Sequence, residues 1–115
     1  MRKKKICIDF DGVIHPYRTK WQGEDIIPDP AEPEMVSFLK ELRKEYQVIV
    51  WSSRARTEKG VTAIEKWLLE NNIEVDGITS DKIPAFLYID DRAIRFNGKT
   101  DGLMEEIKNF KPWNR

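Results

Sequence analysis

The sequence has almost no cysteine and carries no net charge. Because Cys7 is the single cysteine, no internal disulfide can form, and we expect this residue to lie in a buried strand. The 20 basic and 20 acidic side chains balance, so general attraction to nucleic acid or to an anionic membrane is not expected. Local basic clusters leave nucleic acid open as a partner, although the composition does not indicate it.

Long apolar runs are also missing. No apolar segment approaches the roughly 20 residues that a membrane-spanning helix needs, so we expect no membrane partner. The basic start, residues 1–5, is followed by acidic residues rather than by an apolar core. This pattern predicts a cytoplasmic protein without a secretion signal.

The composition is typical of one ordinary folded domain. The chain has 115 residues, of which 40% are hydrophobic and 35% charged, and we expect a single domain over residues 1–115. Apolar segments predict β-strands at residues 5–10, 47–51, 75–79 and 85–89, with a brief edge strand at 94–96.

Amphipathic segments between and after these strands predict helices. Asp29, Thr57 and either Thr100 or Asp101 are expected to cap their first turns. The side chains expected to face the core are Met35, Phe38, Leu39, Leu42, Val61, Ile64, Trp67, Leu68, Leu103, Met104, Ile107 and Phe110. Alternating strands and helices predict an α/β fold, a Rossmann-like three-layer α/β/α sandwich with a mainly parallel sheet.

Polar side chains follow the predicted strands, and ligands of parallel sheets bind at the carboxyl ends of strands. These side chains are Asp9 and Asp11, Ser52, Lys82, and Asp90 with Asp91. Four carboxylates at one rim repel one another strongly unless a cation lies among them. A hard divalent ion suits such oxygen ligands, so the sequence predicts Mg²⁺ as a cofactor.

The same side chains provide what phosphoryl transfer requires. A carboxylate beside Mg²⁺ can attack phosphorus, while a second carboxyl group protonates the leaving oxygen and then activates water. A lysine and a serine hydroxyl can hold the phosphoryl oxygens as charge redistributes. Each motif alone is common in turns and caps, so it is their joint occurrence at successive strand ends that indicates an enzyme.

Four segments resemble, in order, the four motifs of the haloacid dehalogenase (HAD) superfamily; they are residues 9–13, 48–52, 82–84 and 88–91. The resemblance implies that Asp9 is the nucleophile and Asp11 the general acid and base. It also implies that Ser52 and Lys82 contact the phosphate. The fourth motif would complete the Mg²⁺ site together with Asp9 and the backbone carbonyl of Asp11. An acidic residue at position 11 favours ester hydrolysis, because transport ATPases of this superfamily carry threonine there.

Several roles stay open at this stage. Ser53 takes the place of Ser52 if the strand ends one residue later, and Arg54 is a further candidate for binding the phosphate. Of the acidic pair, we expect Asp90 to ligate the metal directly and Asp91 to support it. Loop residues that are candidates for contacting the substrate are His15, Tyr17, Arg18 and Trp21.

Residues 12–28 are too few for a folded cap domain, and residues 52–82 are used by one helix and one strand. The site is therefore expected to be open, which suits a bulky phosphorylated macromolecule as well as a small phosphate ester, or to be closed by a second subunit. The order of the motifs argues against a receiver domain. A Mg²⁺-dependent phosphatase is the leading hypothesis. A non-catalytic metal- and phosphate-binding regulatory module and a nucleic-acid end-processing phosphatase are the alternatives.

Overall fold

The computed structural model describes residues 2–114, which form four strands and three α-helices. In chain order the elements are β1 (Lys5–Asp9), α1 (Pro33–Glu45), β2 (Gln47–Trp51), a short 3₁₀ helix (Ser53–Arg56), α2 (Glu58–Glu70), β3 (Gly77–Thr79), β4 (Leu87–Ile89) and α3 (Leu103–Asn109). Strands β3 and β4 are shorter than the sequence predicts. Within the described residues, no helix has the length and apolar character to cross a membrane.

The strands form one parallel sheet in the order β3-β2-β1-β4. Ile8 in β1 lies opposite Val50 in β2 and Ile89 in β4, so the carboxyl ends of the central strands meet at one edge. This arrangement confirms the predicted α/β fold with a parallel sheet. It also explains why the sequence after each strand bears on the site.

The core lies between the sheet and helices α1 and α2. Alternate residues of β1 and β2 pack against one helical layer, which contributes Leu39, Ile64, Trp67 and Leu68. The intervening Cys7 is also fully buried, as predicted. It lies opposite Tyr88, whose hydroxyl donates to the carbonyl of Ile83 in the β3–β4 connection.

Helix α2 begins at its predicted cap, Thr57, but α1 does not begin at its predicted cap. The Thr57 hydroxyl accepts from the amide of Gly60, and the backbone N–H of Asn71 closes the last turn of α2. Helix α1 starts at Pro33, after Glu32, whose side chain makes no capping bond. The carboxylate of Asp29 instead accepts from the backbone N–H and hydroxyl of Thr19. The predicted cap is therefore wrong, because the carboxylate is used by the loop.

The burial predicted for the apolar faces of α1 and α3 is only partly correct. Phe38 is 42% exposed on α1, whereas Leu39 beside it is buried. Helix α3 buries none of its residues, and its predicted caps are wrong because Gly102 takes the N-cap position in a left-handed conformation. Residues 94–96 form no strand, so the predicted edge strand is wrong; the chain bends after β4, where Asp90 accepts from the amide of Arg92.

Candidate active site

Three carboxylates meet at the carboxyl ends of β1 and β4. Oxygens of Asp9, Asp90 and Asp91 all lie within 4.8 Å of one another, close enough to ligate one ion. The Oδ1 atom of Asp91 is buried and has no hydrogen-bond partner among the described residues. A buried oxygen without a donor is unfavourable, and a divalent cation between the carboxylates would satisfy it. The residues present therefore fit a metal ion.

The electrostatics of Asp9 lead to the same conclusion. Burial, a hydrogen bond to Asp91 and the charges of the neighbouring carboxylates raise the pKa of Asp9 from 3.8 to about 8. Without a cation, its carboxyl group is therefore mostly protonated at neutral pH. A positive ion in the cluster favours the charged form, which is the form that can act as a nucleophile.

Gly12 makes room for the Asp91 carboxylate. A Cβ atom on Gly12 would lie 2.1 Å from Oδ2 of Asp91, and the residue has a φ of +93°. Glycine therefore satisfies both the backbone conformation and the close approach.

Asp91 lines the cleft described below, whereas Oδ1 of Asp90 accepts from the amide of Arg92 at 2.8 Å. Both residues contribute an oxygen to the cluster, so the expectation that Asp90 ligates the metal directly and Asp91 supports it stays a prediction.

Arg54 holds Asp11 in a bidentate ion pair. Its Nε donates to Oδ2 of Asp11 at 2.8 Å, and its Nη2 donates to Oδ1 at 3.1 Å. The remaining Nη1 donates to the carbonyls of residues 23, 24 and 26, at 2.8–3.2 Å. Arg54 is only 1% exposed, so its guanidinium is directed at Asp11 and the loop. It does not face the cleft as a phosphate ligand, which was its predicted role.

His15 is the second partner of Asp11. The backbone N–H of Asp29 donates to Nε2 of His15 at 3.2 Å, which leaves the proton on Nδ1. Nδ1 lies 2.9 Å from Oδ1 of Asp11 and donates to it. Burial alone raises the pKa of Asp11, but the hydrogen bonds from His15 and Arg54 and the charge of Arg54 outweigh it, so that pKa lies below its ordinary value. Asp11 is therefore ionised and fixed in position.

A polar cleft of about 280 Å³ opens above these carboxylates. It is lined by Asp9, Asp11, Tyr17, Trp21, Ser52, Ser53, Asp91, Arg92 and Asn114. Ser52 is buried, and its Oγ accepts from the backbone N–H of Arg54 at 3.1 Å, which starts the 3₁₀ helix. Of the predicted site residues, this cleft brings together both first-motif aspartates, both serines and Asp91.

Lys82 is placed differently from the other predicted site residues. Its side chain is exposed and does not line the cleft, and its Nζ lies 5.4 Å from the centre of the Tyr88 ring. The contact of Lys82 with phosphate thus stays a prediction.

Sequence reasoning also missed Asn114, which lines the cleft, and Trp113, whose indole N–H donates to the carbonyl of Gly12 at 2.6 Å. No local pattern links those residues to a loop 101 positions earlier.

Fold and site together define a class, namely α/β proteins that gather carboxylates at the carboxyl ends of a parallel sheet. Residues 5–86 match the model of the HAD domain in Swiss Army Knife RNA repair proteins, so the chain belongs to this family. The resemblance to the HAD superfamily is thereby confirmed. Among curated proteins, no significant match exists.

A solved structure shares the fold. The protein is similar to a chain of "Structure of Pnkp1/Rnl/Hen1 complex", with a TM-score of 0.55 and 21% sequence identity. The similarity covers 91% of this chain and 35% of that chain, so this protein spans about a third of the length of its structural neighbour. At this identity the likeness shows the fold alone.

Proposed function

We propose that this protein is a Mg²⁺-dependent phosphatase that hydrolyses a phosphate monoester through a phosphoaspartate at Asp9. One observation carries the proposal: three carboxylates lie within 4.8 Å of one another, and one Asp91 oxygen among them is buried without a partner. Membership of a HAD family supports the reaction class. The polar cleft above the cluster provides the space for a phosphoryl group.

Mg²⁺ would be held by Asp9, the backbone carbonyl of Asp11, and the acidic pair Asp90 and Asp91. Bound there, it would neutralise the carboxylates and polarise the phosphoryl group. Ser52 and Ser53 are proposed to bind the phosphoryl oxygens, because both line the cleft next to the aspartates.

In the proposed first step, a carboxylate oxygen of Asp9 attacks phosphorus and the ester P–O bond breaks. Asp11 takes up a proton from solvent when the anionic phosphoryl group binds beside it and raises its proton affinity, and it then donates that proton to the leaving oxygen. In the second step, Asp11 accepts a proton from water as the water oxygen attacks phosphorus. The P–O bond to Asp9 breaks, so that inorganic phosphate leaves and the Asp9 carboxylate is regenerated. The lone pair of Oδ2 that Arg54 does not use is available for these transfers.

A phosphorylated nucleic-acid end is the substrate we favour among phosphate monoesters. The family is described as belonging to RNA repair proteins. The cleft is open and polar, and no segment of the described residues folds over it as a separate cap domain. A polymer end can therefore enter while the rest of the strand remains outside.

The direct test is hydrolysis of an aryl phosphate with Mg²⁺. We expect turnover by the wild type, loss of turnover with a chelator, and loss in Asp9→Asn. Asp81→Asn is the matched control, because Asp81 is exposed just beyond β3 and does not line the cleft. Acid quenching should trap a phosphorylated wild-type enzyme and none in Asp9→Asn. Turnover by a folded Asp9→Asn protein would exclude this mechanism, and Mg²⁺ binding without turnover on any phosphate ester would favour the regulatory module.

A further inference from the structure

Trp21 borders the proposed active site with a half-exposed indole. The side chain is 51% exposed, and it lines the same cleft as Asp9 and Asp11. An exposed tryptophan at the mouth of a polar cleft leaves a large flat apolar surface in contact with water. Such a surface is suited to a planar ligand group.

The indole is held in place from behind by Arg54. Cζ of Arg54 lies 4.5 Å from the centre of the Trp21 ring, within the range of a cation–π contact. Arg54 is itself fixed by Asp11 and by the carbonyls of Gly23, Glu24 and Ile26 in the same loop as Trp21. The exposed indole is thus positioned before a ligand arrives, and little side-chain entropy remains to be lost on binding.

The size of the cleft determines which part of a substrate reaches the indole. Pockets that enclose a drug-sized ligand measure about 300–1,000 Å³, and this cleft holds about 280 Å³. Its lining includes the carboxylates and serines that we assign to the metal and the phosphoryl group. A phosphate and its sugar would occupy most of that space, so an attached nucleobase would extend towards solvent, where the half-exposed Trp21 lies.

A second exposed tryptophan, Trp113, directly precedes Asn114, which lines the cleft. Trp113 is 57% exposed, and its indole N–H is anchored on the carbonyl of Gly12. The guanidinium of Arg18 lies 5.8 Å from its ring centre. Aromatic side chains interleaved with arginine at a groove are the features that bind single-stranded nucleic acid, because every base has a face that can stack.

We propose that Trp21 is a substrate-positioning residue that stacks on the nucleobase of the phosphorylated terminal nucleotide. This inference rests on the proposed phosphatase function, and it names the residue that gives the site its preference for a nucleic-acid end. The alternative is a purely structural role, in which Trp21 only shields the Arg54–Asp11 ion pair from water. In that case its loss affects all phosphate esters equally.

The experiment compares two oligonucleotides that differ only in the terminal base. One carries a normal phosphorylated terminal nucleotide, and the other carries the same phosphate on an abasic sugar; both are made with 3′- and with 5′-phosphates. The measured quantity is the ratio of kcat/KM for the base-containing substrate to that for the abasic one. We expect Trp21→Ala to lower this ratio by roughly 5- to 100-fold, mainly through KM, and Trp21→Phe to retain most of it.

Phe86→Leu is the matched control. Phe86 is 54% exposed, but it lies at the opposite end of the sheet, where its amide donates to the carbonyl of Lys5. Its substitution should leave the ratio unchanged. If Trp21→Ala lowers kcat/KM equally for both substrates, or lowers it for neither, the ratio is unchanged. Either result overturns the stacking role and leaves the phosphatase proposal intact. A wild type that hydrolyses neither oligonucleotide nor an aryl phosphate overturns both.

Discussion

Replacing Asp9 with asparagine should stabilise the metal-free protein at neutral pH, although it removes the proposed nucleophile. Asp9 is surrounded by carboxylates that raise its pKa from 3.8 to about 8. Between these two pH values the folded protein keeps a proton that the unfolded chain has released. The free energy of unfolding of the wild type therefore falls as pH rises across this range. Because asparagine is neutral at every pH, the free energy of unfolding of the variant does not fall for this reason.

The size of the effect follows from the raised pKa. Each pKa unit corresponds to about 1.4 kcal/mol. The wild type should therefore lose up to about 4 kcal/mol relative to Asp9→Asn between pH 3.8 and pH 7. Partial exposure of the site and residual charge interactions in the unfolded chain reduce the measured value, so a difference of about 2–4 kcal/mol is expected.

The assay is urea denaturation of both proteins in chelator at pH 5, 7 and 8. The advantage of Asp9→Asn should grow with pH, and the exposed control Asp81→Asn should show no such trend. Adding Mg²⁺ at about 100 times its dissociation constant should return about 2.7 kcal/mol to the wild type and less to Asp9→Asn, which lacks one ligand. An Asp9→Asn protein that is no more stable than wild type at pH 7 in chelator would refute the charge-cluster argument.

Two further predictions test the neighbours of the nucleophile. Gly12→Ala and Gly98→Ala place a side chain at nearly equal φ, +93° and +92°, so both should lose about 1–2 kcal/mol of stability. Only Gly12→Ala should also lose Mg²⁺ affinity and activity, because only its Cβ meets Asp91; equal activity in the two variants would contradict this role. Arg54→Lys should lower kcat at least tenfold, since an ammonium cannot hold the acid–base carboxylate through two bonds, whereas Arg56→Lys should stay near wild type. Comparable kcat values for these two lysine variants would refute the positioning role.

The sequence was sufficient to predict where the acidic cluster lies. Strands buried in a sheet are recognisable as apolar runs, and parallel strands place the residues that follow them at one edge. Asp9 and Asp91 could therefore be assigned to one cluster although they are 82 positions apart in the chain. The same reasoning placed Ser52 beside them.

Local pattern could not predict which partner each polar side chain chooses. Asp29 resembled a helix cap, but in the fold its carboxylate binds Thr19 and its amide donates to His15. The spacing of apolar residues in α3 predicted that one face of the helix is buried, yet Met104 and Ile107 are more than half exposed. Periodicity identifies the apolar face of a helix, whereas burial depends on which element packs against it.

Arg54 shows how a single misassigned residue changes the interpretation of the site. Read as a phosphate ligand, it would act on the substrate and nothing else. Arg54 is instead buried. Its guanidinium orients Asp11, supports the Trp21 indole and donates to backbone carbonyls of the loop that follows Trp21. Its own backbone carbonyl packs so closely on α2 that a Cβ on Gly60 would lie 1.7 Å away. The proposed acid–base group and the proposed base-stacking residue therefore depend on the Arg54 side chain, and the start of α2 packs on its backbone. A substitution that displaces Arg54 should alter all three.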